Sequence, residues 1–267
     1  MNKIIEKFRD VFQDYDAFIF DLWGVIYEGG AVFENALDVI KRLHQLNKPL
    51  LLMSNSPFLD KDCAKNLQNC GLPTDLYKSV ITAGDLCMHY LQATIVTPQK
   101  FYVIDKDYWQ GWKTFNPLLQ STTDIEEADA VLCLAVPPTV EFPEEIAQHF
   151  DGLFHHAIAR RLTLICANPD LFAFSTGKLC LRPGLLTLRY QQLGGAVLNF
   201  GKPFPEIFQQ GLKILNYPKR VLMVGDTEYT DIQGAARHNI DTMLITKLNK
   251  DDPIRSQAMY FSQEVKW

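Results

Sequence analysis

The chain has 267 residues, 47% of them hydrophobic and 21% charged, with a formal net charge of -5. That composition suits a soluble globular protein of one large or two ordinary domains. The acidic balance argues against nucleic acid as a partner, which would need a basic stripe. No apolar stretch approaches the roughly 18 residues of a membrane span, so no membrane is expected either. Residues 1–10 are studded with charges and lack the apolar centre of a signal peptide. The six cysteines, Cys63, Cys70, Cys87, Cys133, Cys166 and Cys180, form no C-x-x-C pair, and several sit in apolar surroundings. They read as reduced and mostly buried, which suits a cytoplasmic location.

In chain order, residues 1–15 predict a short amphipathic helix. An apolar run at 17–20 then ends in Asp21, and Gly24 frees the chain to turn just beyond it. Such a run suits a buried strand of a parallel sheet, with Asp21 at its carboxyl end, where open α/β sheets hold ligands. Ala36, Leu37, Ile40, Leu43 and Leu46 have helical spacing. A second apolar strand at 49–53 runs into Ser54-Asn55-Ser56-Pro57. Strand, helix and strand make a βαβ unit, whose pairing is parallel. A helix at 58–69, stopped by Gly71 and Pro73, a strand at 79–83 and a helix at 84–91 follow.

The stretch 84–196 changes character. Short apolar runs at 101–104, 130–134 and 162–166 alternate with an aromatic-rich loop (Tyr108, Trp109, Trp112, Phe115) and a helix at 143–160, which implies a smaller α/β domain. Beyond it come an apolar run at 197–200, Gly201-Lys202-Pro203, a helix near 206–215, a buried strand at 220–224 ending in Gly225-Asp226, and a last strand at 241–246. The expected fold class is α/β. Residues 1–83 and 197–267 form one core, and 84–196 is inserted into it.

Phosphoryl transfer requires an in-line nucleophile, neutralisation of the equatorial oxygens and usually Mg²⁺. Asp21 can be that nucleophile, forming an aspartyl-phosphate that splits one hard step into two. Ser54 and the amide of Asn55 can hydrogen-bond the transferred group, and Lys202 offers a fixed positive charge. Asp226 and Asp231 add carboxylates at another strand end. Carboxylates that converge repel one another, so a hard dication with oxygen ligands is the natural compensation.

Four stretches, Asp21-Leu22-Trp23-Gly24-Val25, Ser54-Asn55-Ser56, Gly201-Lys202-Pro203 and Gly225-Asp226 with Asp231, resemble motifs I to IV of the haloacid dehalogenase (HAD) superfamily. Ala167-Asn168-Pro169-Asp170, Arg182-Pro183-Gly184 and the run 225–235 look like its class IIA, the NagD-like phosphatase branch. The resemblance implies a Rossmann-like core with a C2-type α/β cap inserted between motifs II and III. It also implies Mg²⁺ bound by Asp21, Asp226 and the main-chain carbonyl of Trp23, with Asp231 holding the metal's water shell. Asp170 falls in a loop that faces the active site in that branch, and its functional and structural readings weigh about equally. The resemblance also admits a homodimer through the cap.

Other patterns carry less. The 195–202 stretch is one residue too long for a P-loop, and Pro203 stands where a metal-binding hydroxyl would be needed. His155 and His156 are adjacent and point apart on a helix. Glu145 and His149 suit a solvated pair. The aromatic loop suits core packing better than a substrate pocket.

Trp23 departs from the branch, which carries a second aspartate there to protonate the leaving oxygen. Indole is a hydrogen-bond donor only and cannot do that work at neutral pH. The expectation is a Mg²⁺-dependent hydrolase of a small phosphorylated metabolite. Its rivals are an impaired phosphate- and metal-binding regulatory protein, or a hydrolase of acyl phosphates, phosphonates or haloacids, whose leaving groups need no acid.

Overall fold

A computed structural model describes residues 3–104, 109–175, 178–246 and 256–267. The chain folds into two compact units. One comprises Met1–Ser54, Asp60–Ile81 and Lys202–Trp267, the other Asn55–Leu59 and Thr82–Gly201.

The first unit is built on a seven-stranded sheet. Its order is Lys3–Ile4, Tyr260–Ser262, Asp241–Ile245, Val221–Gly225, Ala17–Asp21, Leu50–Ser54 and Ser79–Thr82. The Ala17–Asp21 strand is an inner one and pairs in parallel with Val221–Gly225 on one side and Leu50–Ser54 on the other. Burial on both faces explains its unbroken apolar run: Phe18, Ile19 and Phe20 are wholly buried. Each such side chain contributes roughly 1.5–3 kcal/mol. The helix Glu34–Gln45 buries Ala36, Val39, Ile40 and Leu43, the stripe its spacing predicts. The helix Pro205–Ile214 lies close on the sheet at Gly211, where a Cβ would come within 2.9 Å of Met53 Cε and 3.0 Å of Leu51 Cδ2.

The amino-terminal segment corrects the sequence expectation. Among the described residues 3–15 there is no amphipathic helix; they form the short strand Lys3–Ile4 followed by 3₁₀ turns at Phe8–Asp10 and Phe12–Asp14. Phe8, Val11, Phe12 and Tyr15 are all buried. Two successive tight turns present the same three- and four-residue spacing as a helix, so periodicity alone does not separate them.

The second unit has its own parallel sheet, ordered Val197–Asn199, Leu164–Cys166, Ala130–Cys133, Gln99–Ile104 and Leu119–Thr122. Val197–Asn199, expected to open the second part of the core, instead pairs with Leu164–Cys166. The chain re-enters the first unit at Lys202. Residues 55–59 also belong to the second unit. Trp112 Nε1 donates to Pro57 O at 3.0 Å, and Gly84 packs so closely that a Cβ would lie 2.3 Å from the same carbonyl. The aromatic loop is a helix, Trp109–Phe115, whose Trp109 and Trp112 are buried core; Tyr108 lies outside the described residues. A hairpin, Phe172–Ser175 with Lys178–Leu181, and a helix, Gly184–Gln192, were not expected.

Candidate active site

The parallel sheet of the first unit delivers its chemistry at the carboxyl ends of three neighbouring strands. Asp21 closes the Ala17–Asp21 strand, 6% exposed, and stands in register with Met53. Ser54 closes the next strand one residue later and is also buried. On the other side, Val221–Gly225 runs into Asp226, then into a π-helical turn, Glu228–Ile232, that carries Asp231. Lys202 comes in from the loop ahead of the Pro205–Ile214 helix.

The geometry joins these residues. Lys202, 2% exposed, donates from Nζ to Asp21 Oδ1 at 2.5 Å, to Asp231 Oδ1 at 2.6 Å and to Met53 O at 3.4 Å. Asp231 is 1% exposed, and its Oδ2 accepts from Thr227 N–H at 3.0 Å. Thr227 Oγ1 in turn donates to Asp226 Oδ1 at 3.0 Å. Ligand oxygens of Asp21, Asp226 and Asp231 lie within 4.8 Å of one another. Two glycines make this approach feasible. Gly24, at φ +80, lies under Asp226, whose Oδ2 would be 2.1 Å from any Cβ there. Gly225 packs against Asp231 in the same way, with 2.2 Å to its Cβ.

Burial pushes the Asp21 carboxyl well above the ordinary carboxylate range. The Lys202 ammonium pulls it back down, while the charges of Asp231 and Asp226 push it further up. Lys202 thus offsets one of three converging negative charges, and desolvation dominates the remainder. An all-carboxylate donor set of this kind fits a hard divalent cation such as Mg²⁺. Asp21 and Asp226 would hold it, with Asp231 alongside.

Trp23 sits half-buried in the loop after Asp21. Its indole meets Tyr27 edge-on, with centroids 5.5 Å apart, and lies against Gly29. A short bridge between Trp23 and Tyr27 and the bond from Gly24 N–H to Tyr27 O, 2.9 Å, close the loop. Within the second unit, Asn55 Nδ2 donates to Asp170 Oδ1 at 2.7 Å, and Asp170 N–H is bound by Asn168 Oδ1 at 3.2 Å. Asn55 and Asp170 are therefore partners of each other. Glu145 and His149 meet through the main chain, His149 Nδ1 lying 2.9 Å from Glu145 O, while the Glu145 carboxylate accepts from the N–H groups of Glu141 and Phe142. Sequence reasoning missed Thr227, which ties Asp226 to Asp231. Its position between those two carboxylates was the available signal. It also missed the packing role of Gly24, for which the sequence carries none.

Residues 18–110 match the family model described as haloacid dehalogenase-like hydrolase, and residues 199–257 match a second described as HAD-hydrolase-like. A curated relative, the 5'-nucleotidase YutF of Bacillus subtilis (strain 168), is 25% identical over 236 residues, 87% of this chain and 88% of the relative. Among solved structures, a haloacid dehalogenase-like hydrolase from Brucella suis 1330 superposes with a TM-score of 0.85 at 24% identity. That match covers 98% of this chain and all (100%) of the other. The 4-nitrophenylphosphatase of Thermotoga maritima has a TM-score of 0.70 at 20% identity, over 94% and 95% of the two chains. Among the described residues no helix is long and apolar enough to cross a membrane.

Proposed function

Because the chain belongs to the haloacid dehalogenase-like hydrolases, we propose that it is a Mg²⁺-dependent phosphatase of the NagD-like branch, acting on a small phosphorylated metabolite. Asp21 is the nucleophile. The observation that carries this reading is the buried Asp21, held by Lys202 at 2.5 Å and grouped with Asp226 and Asp231. Lys202 occupies Oδ1 of Asp21, orienting the carboxylate and favouring its charged form, so that Oδ2 is the attacking oxygen. The bond from phosphorus to the leaving oxygen breaks as the bond to Asp21 forms, and water then cleaves the aspartyl-phosphate. Ser54 and Lys202 bind the transferred group. Asp21, Asp226 and the Trp23 carbonyl would hold Mg²⁺, with Asp231 on its water shell. Once bound, the ion supplies positive charge to the site and to the phosphoryl oxygens.

Trp23 supports a narrower form of this reading. Its indole offers no acid to the leaving group, and such an acid contributes typically about 10²–10⁴-fold. Acyl and aryl phosphates should therefore turn over well, and alkyl phosphates slowly. The test is a screen of nucleoside monophosphates, alkyl, aryl and acyl phosphates, and haloacids, with and without Mg²⁺. Turnover of phosphates only with Mg²⁺ supports the proposal, and haloacid turnover without metal would sink it. The Trp23→Asp variant should gain most on alkyl phosphates, by up to about 10²–10⁴-fold. Fast alkyl-phosphate hydrolysis by the wild type would show that another group supplies the proton.

A further inference from the structure

We propose that Glu228 is a positioning residue that clamps the loop bearing Asp226 and Asp231 to the chain's carboxyl-terminal segment; its effect on metal rests on the function proposed above. Glu228 opens the π-helical turn, two residues past Asp226 and three before Asp231. Its carboxylate is engaged by residues 28 and 29 positions away. Ser256 Oγ donates to Oε2, and Gln257 N–H donates to Oε1 at 3.1 Å. Ser256 Oγ also accepts from Ala258 N–H at 3.0 Å, so the hydroxyl's single proton is committed to Glu228.

Both ends of this clamp are rooted in core. Ala258 and Ile232 are wholly buried in one cluster with Leu244 and Phe261. The segment continues into Tyr260–Ser262, which pairs in parallel with Asp241–Ile245. Between the roots lies a turn whose internal bonds join Thr227 to both carboxylates. Those internal bonds keep Asp226 and Asp231 together but do not fix the turn to the sheet. Glu228 supplies that second tether. Two donors converge on it, which explains a carboxylate rather than an amide: glutamine would meet one donor with its oxygen and the other with an NH₂.

The same two bonds bear on the missing proton donor. Its two oxygens accept from the Ser256 hydroxyl and the Gln257 N–H, so the carboxylate is directed to the 256–258 segment. Glu228 therefore holds the loop rather than acting as the acid that Trp23 is not.

The test compares wild type with Glu228→Ala, Glu228→Gln and Ser256→Ala. Amide exchange in the metal-free protein reads the clamp directly. Exchange at Thr227 and Asp231 should quicken in Glu228→Ala and, less so, in Ser256→Ala, while the Ala17–Asp21 strand is unchanged. Calorimetric Mg²⁺ affinity should fall by about 10–100-fold in Glu228→Ala, as losing support behind metal ligands does. Glu228→Gln should fall between, and excess Mg²⁺ should restore kcat. Unchanged exchange at Thr227 and Asp231 would overturn the clamp. So would a kcat loss in Glu228→Gln that excess Mg²⁺ does not restore, with the alkaline limb of the pH–rate profile altered, because that marks an acid. If wild type itself bound no Mg²⁺, the proposed function would fail while the exchange data still judged the clamp.

Discussion

The two ends of the seven-stranded sheet both carry charge, and they carry it differently. At the amino end, Arg220 and Asp241 approach within 3.5 Å, with side chains 50% and 31% exposed. Tyr15 Oη donates to Asp241 Oδ2 at 2.9 Å, and the Arg220 guanidinium lies over the Tyr15 ring. Charges there are matched and wetted. At the carboxyl end, three carboxylates converge, two of them bonded to Lys202, and Asp21, Asp231 and Lys202 are all buried. An ion pair open to water contributes little, whereas buried like charges are held together at a cost to folding. Charge alone therefore does not mark a site; uncompensated buried charge does.

The contrast breaks most sharply at Lys202. Lys202→Met should destabilise the protein by about 3–5 kcal/mol, since it strands two buried carboxylates. Chemical denaturation should show the loss growing with pH as those groups charge.

A smaller effect is expected where no charge is touched. Gly24→Ala puts a Cβ where Asp226 Oδ2 now lies, at a backbone angle that L-residues avoid. Mg²⁺ affinity measured by calorimetry should drop by about 10–100-fold, the range for displacing a supported ligand.

The pH dependence sharpens the comparison further. Burial raises the Asp21 carboxyl in the folded protein. A raised folded value means stability that is present below the ordinary carboxylate pKa, about 3.9, and lost as pH rises through the folded value. Metal-free wild type should thus melt lower at neutral pH than Asp21→Asn. The gap should close in acid, where Asp21 is protonated, and saturating Mg²⁺ should narrow it by favouring the wild type.

The smallest effect belongs to the amino end. Arg220→Ala should cost about 0.2–1 kcal/mol, reduced by salt, and leave Mg²⁺ affinity unchanged.

Much of the architecture was legible because burial writes itself into apolar runs. Phe18-Ile19-Phe20 and Leu50-Leu51-Leu52 announced inner strands, and the polar residue that ended each run marked the carboxyl edge. An apolar run does not say which sheet it joins, so Val197–Asn199 was assigned to the wrong one. Spacing did not separate 3₁₀ turns from a helix at the amino terminus. The hairpin at 172–181 lacked the two-residue turn signal that flags such pairs. Within the site, residue types at strand ends were readable. The contacts of Gly24 with Asp226, Thr227 with Asp231 and Glu228 with Ser256 were not, because each depends on backbone approach or distant pairing.

The central claim is that Asp21 takes the phosphoryl group, and mass spectrometry of enzyme quenched during turnover of 4-nitrophenyl phosphate with Mg²⁺ tests it most directly. The account predicts a phosphoryl group on the peptide carrying Asp21, absent in Asp21→Asn. Sustained phosphate release by Asp21→Asn at the wild-type rate, with no modified peptide in either protein, would contradict it.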